Sequence, residues 1–139
     1  MRRTITISGI QCEMKSSAAI PRMYRLKFER DIFVDMQKIA KQIEVQNKLK
    51  EELRKQAEEN GEEFDESKFE SGLPVESLEI FENIAFLMHK HGDPSQPKEI
   101  DEWLDQFDMF DIYKVFPEIL KMWNIENKQM STPKKRTGK

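Results

Sequence analysis

Between Leu78 and Trp123 apolar side chains return every three or four residues, in three runs separated by glycine and proline. The first, Leu78 to His91, puts Leu78, Phe81, Ala85 and Met88 on one stripe, widened by Ile80, Ile84 and Leu87. That spacing predicts an amphipathic helix. Gly92 supplies a left-handed stop, and Asp93-Pro94 prevents continuation. Pro97 suits the first turn of a second helix, which carries Ile100, Trp103, Leu104 and Phe107. A third helix, roughly Phe110 to Asn124, carries Ile112, Tyr113, Phe116, Ile119, Leu120 and Trp123. Short connections should fold the three onto one another. The predicted main core is Phe81, Ile84, Met88, Trp103, Phe107, Phe116, Leu120 and Trp123.

The N-terminus alternates with period two instead. Thr4-Ile5-Thr6-Ile7-Ser8, then Gly9, then Ile10, Cys12 and Met14 between Gln11, Glu13 and Lys15, predict a small β-hairpin or arm with Ser8-Gly9 at its turn. An isolated hairpin is marginal in water, so it must pack on the helices or on another chain. Ser16 or Ser17 can cap a short helix running through Phe28, with Pro21 in its early turns and Tyr24 and Phe28 on one face. Asp31 is placed to cap a core helix carrying Ile32, Met36, Ile39, Ala40 and Ile43.

Beyond Ile43 the character changes. Residues 44–71 are rich in Glu and Lys, with Leu49 and Leu53 able to extend the helix as a solvated rod. Asn60-Gly61 is a stop, residues 62–72 are acidic and expected to be flexible, and Pro74 restarts helical structure. Residues 131–139 are basic and polar. The fold expected is mainly α: one small helical domain over residues 1–126, with an N-terminal β-hairpin or arm, a charged extension and loop over 44–72, and a disordered basic tail over 127–139.

Composition narrows the function. A chain of 139 residues has one-domain length, yet 37% hydrophobic and 35% charged residues make a lean core under a charged exterior. A net charge of −3 gives no general reason to expect nucleic acid or an anionic membrane. The single cysteine, Cys12, has no partner for an internal disulfide, which fits a reducing compartment. No apolar run approaches the ~20 residues of a membrane span, and MRRTITISGIQC lacks the apolar centre of a signal peptide, so a cytosolic location is expected.

No catalytic or metal-binding constellation stands out, and no cofactor is expected. His89 and His91 lie two apart on a helix and face different directions, so they cannot chelate one ion together. Asp101, Glu102, Asp105, Asp108 and Asp111 read as a solvated face, with a docking surface for a basic partner as the alternative. The candidate partner-binding residues are Tyr24, Phe28, Trp103, Phe107 and Trp123, since aromatic side chains dominate interface energetics.

Four segments carry a resemblance. SSAAIPRMYRLKFERDIFVDM (16–36), LEIFENIAFLMHKHGDP (78–94), EIDEWLDQF (99–107) and IYKVFPEILKMW (112–123) resemble the tail assembly chaperones of long-tailed phages and prophages of Gram-positive bacteria. Members often carry glycine where this chain has Glu29, so the glutamate argues against a sharp left-handed turn there, and residues 44–71 look like an insertion relative to shorter members. The resemblance implies a non-enzymatic factor that coats the aggregation-prone tape measure protein before the tail tube polymerises, works in the host cytoplasm and is absent from the finished virion. It also implies a longer form made by ribosomal frameshifting that recruits tail tube protein, and Lys134-Lys135 could be encoded by a slippery run of adenines. A homo-oligomer is compatible with either form. The residues alone leave a second class open: a generic helical adaptor or small nucleic-acid-binding regulator using Arg2-Arg3 and the tail from Lys134 to Lys139.

Overall fold

A computed structural model describes residues 1–65 and 72–125. In chain order its elements are β1 (Arg2–Ile7), β2 (Ile10–Lys15), α1 (Ala19–Phe28), α2 (Ile32–Glu59), α3 (Val75–Gly92), α4 (Ile100–Leu104) and α5 (Ile112–Met122). The chain is mainly helical behind an N-terminal antiparallel hairpin, as the two periodicities require. The expected tail over 127–139 lies outside the described residues, as does most of the expected flexible loop.

Helix α3 is the centre of the fold and touches β2, α1, α2, α4 and α5. Ile80, Phe81, Ile84, Ala85, Phe86, Leu87 and Met88 are all buried, so this helix is covered on nearly every side. Leu78 was expected on its stripe but is 36% exposed.

Gly92 does not act as a left-handed stop. It is the last residue of α3, and the positive-φ glycines among the described residues are Gly9 and Gly61. Its role is close approach: a Cβ there would stand 2.3 Å from the Glu13 carbonyl oxygen and 3.1 Å from the Lys15 nitrogen. The hairpin therefore lies directly against the end of α3, and Arg2 donates to the Gly92 carbonyl at 3.0 Å.

The hairpin pairs Ile7 with Ile10, Ile5 with Cys12 and Arg3 with Met14. Ser8 (φ 53°) and Gly9 (φ 81°) form the turn, the pair of positive angles that matches strand twist in a two-residue hairpin. Ile5, Ile7, Cys12 and Met14 face inward onto α3 and α5. Burial pushes the Cys12 thiol up to about 11, so it behaves as a small apolar side chain.

The cap of α1 is Ala18, not Ser16 or Ser17. Ser17 Oγ accepts from the Ala19 N–H at 3.3 Å, while the Ser16 hydroxyl turns to the Met122 carbonyl at 3.3 Å and ties the hairpin to the end of α5. At the other end of α1, Glu29 takes the left-handed conformation (φ 56°, ψ 41°) with its N–H on the Arg25 carbonyl. The sharp turn is made without glycine.

Asp31 caps α2 by accepting from the Phe33 and Val34 N–H groups. The helix runs 28 residues, about 42 Å at 1.5 Å per residue. Its buried residues end at Ile43, so the remainder projects as the charged extension read from the sequence, and Gly61 (φ 72°) follows its end. Pro97 lies ahead of α4 rather than in its first turn, because that helix begins at Ile100 after the Glu99 cap. Asp111 caps α5.

Candidate partner-binding surface

The five aromatic candidates separate into two sets. Trp103 is fully buried and sits among Phe86, Phe107 and Phe110, whose ring centroids lie 5.6, 5.1 and 5.5 Å away. Its indole N–H donates to His89 Nδ1 at 2.8 Å. Phe107 is half-buried and packs on that ring. Tyr24 is also fully buried, and its hydroxyl donates to Asp35 at 2.6 Å. Arg30 holds the same carboxylate through two bonds, 2.8 and 3.0 Å. Burial alone would raise the Asp35 carboxyl, but the bonds from Arg30 and Tyr24 outweigh it and hold it below the usual range. Tyr24 and Trp103 thus present no surface to a partner in this structure; both close the interior.

Phe28 is half-buried against Tyr24, with ring centroids 5.0 Å apart. Trp123 is half-buried at the end of α5 and meets Phe33 edge-on at 5.5 Å. Its indole nitrogen is enclosed and has no hydrogen-bond partner, so packing alone holds the ring.

Phe33 is the residue the sequence reading missed. It is 41% exposed, beside Val34 at 59%. Ile32-Phe33-Val34 is a continuous apolar run at the start of a helix, and at 100° per residue three neighbours cannot all face one core. That signal was present. A cleft of about 290 Å³ opens here, between Pro21 and Arg25 on α1, the turn Glu29-Arg30-Asp31, and Ile32 and Phe33 on α2. Leu26, on α1, is 65% exposed. Further along α2, Val45, Leu49 and Leu53 are exposed at four-residue spacing. The large exposed apolar side chains therefore form two groups, Leu26, Phe33 and Val34 on α1 and the first turn of α2, and Val45, Leu49 and Leu53 on the projecting rod, with exposed Gln37, Lys38 and Lys41 between them.

The weaker sequence signals resolve simply. Arg2 is bonded to Gly92 and near Glu13, and Arg3 is paired with Glu118, so neither arginine stands ready for a phosphate. His91 pairs with the Ser17 hydroxyl at 3.3 Å, away from the His89–Trp103 bond. Asp101, Glu102, Asp105 and Asp108 are exposed. Among the described residues no cluster of three His, Cys, Asp or Glu is placed to hold a metal, and no helix is long and apolar enough to cross a membrane.

Comparison with protein-family models, with curated proteins and with solved structures finds no match to this chain.

Proposed function

We propose that this chain is a non-enzymatic phage tail assembly chaperone that holds the tape measure protein soluble in the host cytoplasm before the tube polymerises. The observation that carries the reading is the set of exposed apolar side chains on α1 and α2, Leu26, Phe33, Val34, Val45, Leu49 and Leu53, standing among charges and backed by a closed core. A helix about 42 Å long that leaves half its length outside the domain offers a partner helix an extended surface. The charged exterior would keep a coated complex in solution. Many modest contacts along a long client give avidity while each remains displaceable by tube subunits. The resemblance of residues 16–36, 78–94, 99–107 and 112–123 to such chaperones supports the same reading.

Gene order tests it at once. The gene should lie between that of the major tail protein and a very long tape measure gene; a position away from any tail cluster argues for the adaptor reading. A frameshifted longer form belongs to the same proposal. It requires a slippery heptamer at the codons of Lys134-Lys135 and an open overlapping frame, and lysine codons without an adenine run remove it.

A further inference from the structure

We propose that the projecting half of α2 pairs antiparallel with the same half of a second copy of this chain, about a two-fold axis at Lys50. The inference stands apart from the chaperone reading. Where that reading holds, pairing joins two domains in one particle and leaves Leu26, Phe33 and Val34 to the client.

The free length of the rod sets one register. Ser77 on α3 donates to Gln42 at 2.5 Å, and Lys38 lies 3.6 Å from Glu76, so the start of α3 covers the inner end of the rod. The helix ends at Glu59. What remains, from Lys41 to Glu59, is about 27 Å long at 1.5 Å per residue. Two such lengths, antiparallel and overlapped in full, have their axis at the midpoint, Lys50.

Apolar spacing and charge choose the same register. Val45, Leu49 and Leu53 are exposed at four-residue intervals, a stripe that turns by about 40° at each step. With the axis at Lys50, Leu53 of one copy falls midway between Val45 and Leu49 of the other, and the two Leu49 side chains meet beside the axis. That is the interlocking of a short coiled coil. Along one edge of the stripe, Lys41, Lys48, Glu52 and Glu59 are all exposed and lie within about 40° of one another around the helix. Lys41 and Glu59 stand nine residues either side of Lys50, and Lys48 and Glu52 two either side. Antiparallel pairing therefore sets Lys41 opposite Glu59 of the other copy and Lys48 opposite its Glu52, each twice. Among the described residues none of these four is in an ion pair.

A parallel pair would bring this row against the other edge of the stripe, which holds Gln46, Lys50 and Ala57 and no acid. The chain's own return also runs on that side. Gln46 accepts from the Gly72 N–H at 3.0 Å, and Arg54 lies 5.5 Å from the centre of the Phe64 ring. Exposed ion pairs add little strength, so their part is to choose the orientation and the partner while the apolar stripe holds the pair together.

Sedimentation equilibrium of the full chain tests it, with three variants at exposed positions whose folding is established by circular dichroism and melting temperature. Leu49→Glu puts a charge in the seam. Lys41→Glu/Lys48→Glu makes the row wholly acidic, and Glu52→Lys/Glu59→Lys makes it wholly basic. The wild type is expected to pass from monomer to dimer as its concentration rises, and Leu49→Glu to stay monomeric. Each double reversal alone should raise the dissociation constant at least about tenfold. Mixed in equal amounts, the acidic and basic variants should form a dimer with each other, because every facing pair is then of opposite sign. A wild type that stays monomeric at every concentration overturns the inference, as do reversals that dimerise like the wild type or folded reversals that do not pair when mixed. A monomeric wild type whose binding to tape measure protein is lost in Leu49→Glu gives the stripe to the client, which overturns the pairing and leaves the chaperone reading standing.

Discussion

Trp103 donates its indole N–H to Nδ1 of His89 across 2.8 Å, with both side chains buried. The bond joins α4 to the central helix α3, and it requires a neutral imidazole whose Nδ1 is unprotonated.

Acid should therefore loosen this region. Burial is the largest influence on His89 and lowers its proton affinity, against a smaller opposing pull from Asp93 and Glu13. A histidine whose folded pKa lies below its unfolded one favours folding fully above the unfolded value, about 6.5, and loses that contribution as pH falls through the interval down to the folded value. His91 is lowered as well, by burial, Lys15 and Arg2, and adds a contribution of the same sign. The melting temperature should fall as pH drops below about 6.5. His89→Gln, which keeps an acceptor without the proton site, should flatten most of that slope. An unchanged slope would show that the bond does not sense acid.

Burial separates residues that share one sequence stripe. Phe81 and Trp103 are at most 1% exposed, and truncating either to Ala should cost about 3–5 kcal/mol. Leu78→Ala, at a position 36% exposed, should cost about 0.5 kcal/mol or less. Denaturant titrations of the three variants check the ordering.

Gly92→Ala should destabilise by about 1–3 kcal/mol, because its Cβ meets the backbone of β2, which cannot rotate away. A neutral result in thermal unfolding would mean the hairpin can lift off α3 at no cost.

Glu29→Gly should stabilise by about 1 kcal/mol. A left-handed residue with a side chain costs roughly 1–2 kcal/mol, partly offset by the extra freedom glycine gives the unfolded chain. Equilibrium unfolding in urea measures it.

Local chemistry was legible wherever one residue decides the geometry. Asp31 as a cap, Ser8-Gly9 as a turn and Gly61 as a stop each act through their own backbone or side chain. Readings that depend on what packs nearby were not. Gly92 looked like a stop because nothing in its neighbourhood along the chain announces Glu13, which reaches it from far earlier in the sequence. Glu29 looked unable to turn left-handed because the strain it bears is offset by packing of α1 and α2 elsewhere. Tyr24 and Trp103 have the residue types of binding anchors, but Asp35 and His89 satisfy their polar atoms inside the fold. Phe33, exposed next to the buried Ile32, was given no role by the reading of that helix.

The most direct test of the central claim is the solubility of the cognate tape measure protein expressed with and without this chain, followed by sedimentation of the soluble fraction. The account predicts that tape measure protein appears in the supernatant only on co-expression, in a complex holding several copies of this chain for each client. Tape measure protein that remains insoluble beside abundant folded chain, or a soluble fraction in which the two sediment separately at low salt, would contradict it.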